Sequence, residues 1–116
     1  MPSYLHRIVV SVRNLDESLA FYADLLGLEL VASRAGFATL AAGGGIQLGL
    51  HERDTEPSDR AVALSFAVDD LGRTCHVWEN AQGTVIDPPA DQPWGERMAM
   101  VRDPDGHLVC LVQDPA

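Results

Sequence analysis

One unit is written twice in this chain, and that constrains the fold more than any other feature. Val12-Arg13-Asn14-Leu15 returns 56 residues later as Val68-Asp69-Asp70-Leu71. The same offset sets Ser18 on Thr74, Phe21 on Val77, Tyr22 on Trp78, Gly27 on Gly83 and Leu30 on Ile86. About 20 positions align without a gap. A fixed internal period sets the architecture before any single element is assigned.

The local chemistry points to the same unit. Ile8 to Val12 are β-branched and apolar, as in a buried strand. Asn14 offers an oxygen to the free N–H groups of a following helix, and Glu17 completes a capping-box pattern. Leu15, Leu19, Tyr22 and Leu26 recur at helical spacing, and Gly27 stops the helix. Strands are expected over 28–34, 37–41 and 46–51, with Gly36 and Gly43-Gly44-Gly45 as turns. The polar segment 52–60 reads as a linker. The second unit then runs from a strand ending at Val68, through a helix capped by Asp69 or Asp70 and stopped by Gly83, to a strand over 84–87. A proline-rich loop, 87–93, follows. Strands over 97–102 and 107–113 close the chain, joined by the turn Asp103-Pro104-Asp105-Gly106. The expected fold class is α+β: two tandem βαβββ modules, about 4–52 and 61–114, in a single domain with a curved, partly open mixed sheet.

Composition narrows the partners. Eight basic residues stand against 17 acidic ones, a net charge of −9, which argues against nucleic acid and anionic membranes. No apolar run approaches the roughly 20 residues of a membrane span, and the N-terminus has no secretory pattern. A cytoplasmic location is expected. Cys75 and Cys110 are expected as free thiols.

Val12-Arg13-Asn14-Leu15-Asp16-Glu17-Ser18-Leu19-Ala20-Phe21-Tyr22, with Leu26-Gly27-Leu28, resembles the first-module signature of the glyoxalase/bleomycin resistance/dioxygenase (vicinal oxygen chelate) superfamily. Pro93-Trp94-Gly95-Glu96-Arg97, then Asp103-Pro104-Asp105-Gly106, resembles its second-module signature. The resemblance implies a bowl in the curved sheet and, in the enzymes, a divalent metal held by two ligands per module. Carried onto this chain, those positions are Arg7, Gln47, Ala63 and Cys110. Arginine has no lone pair to give and alanine offers nothing. Gln and Cys alone do not make a site for a hard divalent ion. No metal or other cofactor is therefore expected. His51 shares strand parity with Gln47, while His76 and His107 are expected to be solvated.

Alternation along the strands places Arg7, Val9, Ser11, Gln47, Gly49 and His51 on the bowl face of the first module. In the second it places Ala63, Ser65, Ala67, Arg97, Ala99, Val101, Leu108, Cys110 and Val112 there, with Met98, Met100, Val109 and Leu111 under the helices. The candidate ligand-binding residues are Arg7, Ser11, Phe37, Gln47, His51, Trp94, Arg97 and Cys110. The functional expectation is a metal-free small-molecule binding protein that sequesters a cationic or aromatic compound. The alternative is a lyase, isomerase or dioxygenase with an atypical or absent metal site. An accessory domain that binds only a protein partner is a third reading. The resemblance also implies a homodimer.

Overall fold

A computed structural model describes residues 2–115. The chain divides into two compact units, Met1–Thr55 and Glu56–Ala116. Each has the order strand, helix, three strands, as the repeat predicts.

In the first unit, β1 (Arg7–Val12), β2 (Glu29–Arg34), β3 (Phe37–Ala41) and β4 (Gln47–Glu52) form a sheet in the order β1-β4-β3-β2. β1 pairs with β4 in parallel, and the other pairs are antiparallel. The helix α1 (Leu15–Leu19) continues as a π-helical segment, Ala20–Leu25. Asn14 caps it as expected, its Oδ1 accepting from the Glu17 N–H at 3.0 Å. A second cap comes from the end of β4: Glu52 Oε2 accepts from the Leu15 N–H at 2.9 Å. One sheet face packs beneath this helix through Val12, Ala38, Leu40, Leu48 and Leu50, all buried. Leu15, Ser18, Phe21 and Tyr22 supply the helix side of that core. Leu19 and Leu26 are only half-buried. The wider π turn carries the neighbours Phe21 and Tyr22 inward together.

The second unit repeats the design. β5 (Leu64–Val68), β6 (Thr84–Asp91), β7 (Arg97–Arg102) and β8 (Leu108–Gln113) take the order β5-β8-β7-β6. Asp70, rather than Asp69, caps α2 (Leu71–Asn80) by accepting from the Arg73 N–H at 3.0 Å. Gln113 Oε1 then accepts from the Leu71 N–H at 2.9 Å, the counterpart of Glu52 in the first unit. Each helix start is therefore held twice, by its own cap and by the last strand of its unit. Asn14→Ala or Asp70→Ala is expected to cost about 1 kcal/mol each, the usual worth of a lost cap, measured by urea unfolding.

The structure corrects three sequence expectations. The segment 87–93 is not wholly loop: β6 continues to Asp91, with register shifts between Val85 and Asp87 and between Asp87 and Ala90. Two irregularities let an edge strand carry Pro88 and Pro89, which have no N–H to give a ladder. Gly83 does not supply the left-handed stop of α2; Gln82 does, at φ 69°. Gly83 is needed for space, since a Cβ there would lie 2.3 Å from Trp78 Cδ1 and 2.7 Å from the Trp78 carbonyl oxygen. Finally, β7 has the opposite phase. Ala99 pairs with Leu111 and Val101 with Val109, and all four are buried. Met98 and Met100 pair with Val112 and Cys110 on the open face instead.

Candidate functional site

The open face of the first sheet follows from the register. Arg7 lies opposite Gln47, Val9 opposite Gly49 and Ser11 opposite His51. On the other side of β4, Phe37 lies opposite His51 and Thr39 opposite Gly49. β2 adds Ala32 opposite Thr39 and Arg34 opposite Phe37. A depression of about 370 Å³ opens on this face, lined by Arg7, Val31, Ala32, Arg34, Phe37, Thr39 and Gln47. That volume lies within the roughly 300–1,000 Å³ of small-molecule pockets.

Its floor is a chain of contacts. The Arg7 guanidinium donates from Nε and Nη2 to Gln47 Oε1, at 3.0 and 2.7 Å. The same guanidinium lies 5.7 Å from the centre of the Phe37 ring, within cation–π reach. The His51 ring meets Phe37 in an edge-type contact, with ring centres 5.6 Å apart. Gly49 makes this possible. A Cβ there would come within 2.8 Å of Phe37 Cζ and 3.1 Å of Arg7 Cδ. Glycine in mid-strand thus lets an aromatic side chain lie flat across the sheet.

Three expected residues, Arg7, Phe37 and Gln47, line the depression together. His51 supports it through Phe37. Ser11 shares the face but accepts from Arg53 Nε at 2.7 Å, outside the lining. The remaining expected residues belong to the second unit. Arg97 does not point to an open site: it ion-pairs with Asp91 at 3.1 Å. Trp94 is 63% exposed in the β6–β7 turn, its indole N–H donating to Glu96 Oε1 at 2.7 Å. His107 is half-buried rather than solvated, beside the buried Asp103 and Asp105.

Cys110 is half-buried on the open face of the second sheet, opposite Ser65. Burial pushes its thiol pKa up, the reverse of what a nucleophilic thiolate requires. Burial, helped by Glu79, does the same at Cys75. Both thiols are expected to react slowly with a thiol reagent at neutral pH in the native protein, and fast once it is unfolded in urea.

Val31, Ala32, Arg34 and Thr39 join the site without having been expected there. The hairpin register across Gly36 is the signal that could have found Arg34, because it stands opposite Phe37. Val31 has no sequence signal. It is the extra residue of a register shift between Leu30 and Ala32, which brings it and Ala32 to the same depression.

The chemistry of the donors does not fit the family's metal. In the first unit, Gln47 Oε1 is already bonded to a guanidinium that can only donate. In the second, Ala63 precedes β5 and offers no donor, and Cys110 is opposite Ser65 rather than Ala63. Counting back from the capping residues Glu52 and Gln113, Gln47 corresponds to Leu108. Neither Leu108 nor a protonated Cys110 serves a hard cation.

Two βαβββ units with a ligand-sized depression on an open sheet face define a class of small, tandem-module proteins. Residues 4–111 match the Glyoxalase/Bleomycin resistance protein/Dioxygenase superfamily, and the chain belongs to it. A probable lactoylglutathione lyase of Synechocystis sp. is 31% identical, over 95% of each chain. Another from Vibrio cholerae is 28% identical, over 94% of this chain and 91% of that one. Among solved structures, an antibiotic binding protein from a Streptomyces species is 26% identical, with a TM-score of 0.75 over 97% of this chain and 96% of that one. A glyoxalase-related enzyme from Fulvimarina pelagi has a TM-score of 0.83 at 20% identity, covering 98% and 90%.

Proposed function

We propose that this protein binds a small organic molecule on the open face of its first sheet, with no divalent metal at the family's position. The observation that carries this reading is the Arg7–Gln47 pair. The guanidinium occupies the first family ligand position and holds the amide oxygen of the second. A positively charged donor there repels a cation and leaves it no lone pair. The groove keeps what binding alone needs: an aromatic wall in Phe37, apolar side chains in Val31 and Ala32, and orienting groups in Arg7 and Gln47. Similarity to a protein described as antibiotic binding supports the binding reading. Ser11, His51, Trp94 and Cys110 are not part of the depression and are proposed as supporting or peripheral groups. No helix among the described residues is long and apolar enough to cross a membrane. A soluble homodimer in the cytoplasm is part of the proposal.

The second reading is a metal-dependent lyase, favoured by the curated relatives named as probable lactoylglutathione lyases. A turnover assay separates the two. Purified protein is supplied with the hemithioacetal of methylglyoxal and glutathione, with and without added nickel or zinc. The expected result is no turnover above the uncatalysed rate in either case. Metal-dependent turnover would overturn the proposal.

A further inference from the structure

Resting on that binding reading, we infer that the ligand is an aromatic acid whose oxyanion sits between Arg7 and Arg34. The chain contains eight basic residues, all of them arginine. On the strands of the second unit, Arg97 is neutralised by Asp91 and Arg102 by Asp59. Arg7 and Arg34, on the first sheet, have no carboxylate partner among the described residues. Both line the depression, and no acidic residue lines it with them. A chain of net charge −9 thus places two uncompensated cations around one small pocket. The overall charge suggests a cationic ligand, but the pocket has the opposite sign.

The geometry specifies more than charge. Gln47 Oε1 takes one proton from Arg7 Nε and one from Nη2. The two protons on Nη1 and the second on Nη2 remain available, a fork suited to a carboxylate or phosphate. With its oxygen engaged, Gln47 is oriented so that its amide can only donate to a ligand. The Arg34 side chain makes no hydrogen bond or ion pair with any described residue. Apart from the Thr39 hydroxyl, which can donate or accept, the polar side chains lining the depression offer only donors, which favours an acceptor ligand group. Phe37, Val31 and Ala32 provide an apolar wall beside those donors. The complementary molecule is flat and apolar at one end and anionic at the other.

The test is calorimetric titration at low salt with four naphthalene probes: the 2-carboxylate, the 2-phosphate ester, the neutral 2-carboxamide and the 2-methylammonium. At least one anion is expected to bind ten or more times tighter than the amide and the ammonium, and the better of the two identifies the acid. Arg34→Gln is expected to lower anion affinity about tenfold and amide affinity by clearly less. Because the guanidiniums are exposed, added salt should weaken the anion and spare the amide. The inference is overturned if the amide or ammonium binds as tightly as the anions, or if Arg34→Gln leaves anion affinity unaltered. If such a neutral or cationic probe binds and Phe37→Ala abolishes it, the groove reading stands and only the charge assignment fails. If none of the four binds, both fail.

Discussion

Trp78→Ala is expected to lower stability by about 3–5 kcal/mol, the usual cost of removing a large aromatic from a core. Trp78 is fully buried, and its indole N–H donates to the Arg102 carbonyl at 2.9 Å. Truncation therefore opens a cavity and strands a polar group between α2 and β7. On a total of about 5–15 kcal/mol, such a loss is severe. The same side chain explains Gly83. A methyl group there would strike Trp78 Cδ1 at 2.3 Å and Nε1 at 2.7 Å, with the Trp78 carbonyl oxygen also at 2.7 Å. Gly83→Ala should cost about 1–3 kcal/mol as an overpacking change, or more because the indole is pinned. In the Trp78→Ala background two of the three conflicting atoms are gone, so the second substitution should cost clearly less. Urea unfolding of both single variants and the double variant measures this coupling. Additive losses would show that Gly83 is required for another reason.

Gly49→Ala is expected to weaken ligand binding by more than tenfold, as strongly as truncating Phe37 itself. One added methyl must displace both the aromatic wall, at 2.8 Å, and the Arg7 side chain, at 3.1 Å. Moving Phe37 also releases its edge contact with His51. The wall, the cation and the imidazole are thus set by the absence of a side chain at one position. His51→Ala should weaken binding less, because His51 reaches the depression only through Phe37. Titration of the wild type and these variants with an aryl probe gives the ranking, with far-ultraviolet circular dichroism confirming that each is folded. Gly49→Ala binding as tightly as the wild type would remove Phe37 from the site.

The repeat makes most of the fold legible in the sequence. Matching Val12 to Val68 places both caps, both helices and both first strands from residue types alone. It works because caps and periodic apolar faces are local chemistry, written within a few residues of where they act. The first half of the site is legible for a related reason. β1 and β4 are regular, so alternation puts Arg7, Gln47 and His51 on one face, where Phe37 lies opposite His51. What alternation misses depends on non-local register. It misassigns the phase of β7 because Met98, Ala99, Met100 and Val101 are all apolar, leaving no alternation to read. The β2 irregularity at Val31 and the two in β6 have no residue signature, since an extra residue is defined only by its partner strand. The second helix caps, Glu52 and Gln113, escape the repeat because the offset that aligns the helices does not align the last strands.

The same dependence on register shapes the site. Arg34 joins it only through pairing across a hairpin, and its charge changes the kind of ligand expected. Arg97 looks equivalent in the sequence but is held by Asp91 on the neighbouring strand. An arginine in a strand becomes a ligand group or a rim ion pair according to which neighbour the register supplies.

If the first sheet binds an organic ligand with Arg7 and Gln47 in place of a metal, removing metal must leave binding untouched. The most direct measurement is aryl-probe titration before and after exhaustive chelation, with elemental analysis of both samples. The expected result is less than about a tenth of an equivalent of any transition metal before chelation, by analogy with sites lacking a donor set, and identical affinity afterwards. A near-stoichiometric divalent metal whose removal abolishes binding would contradict it.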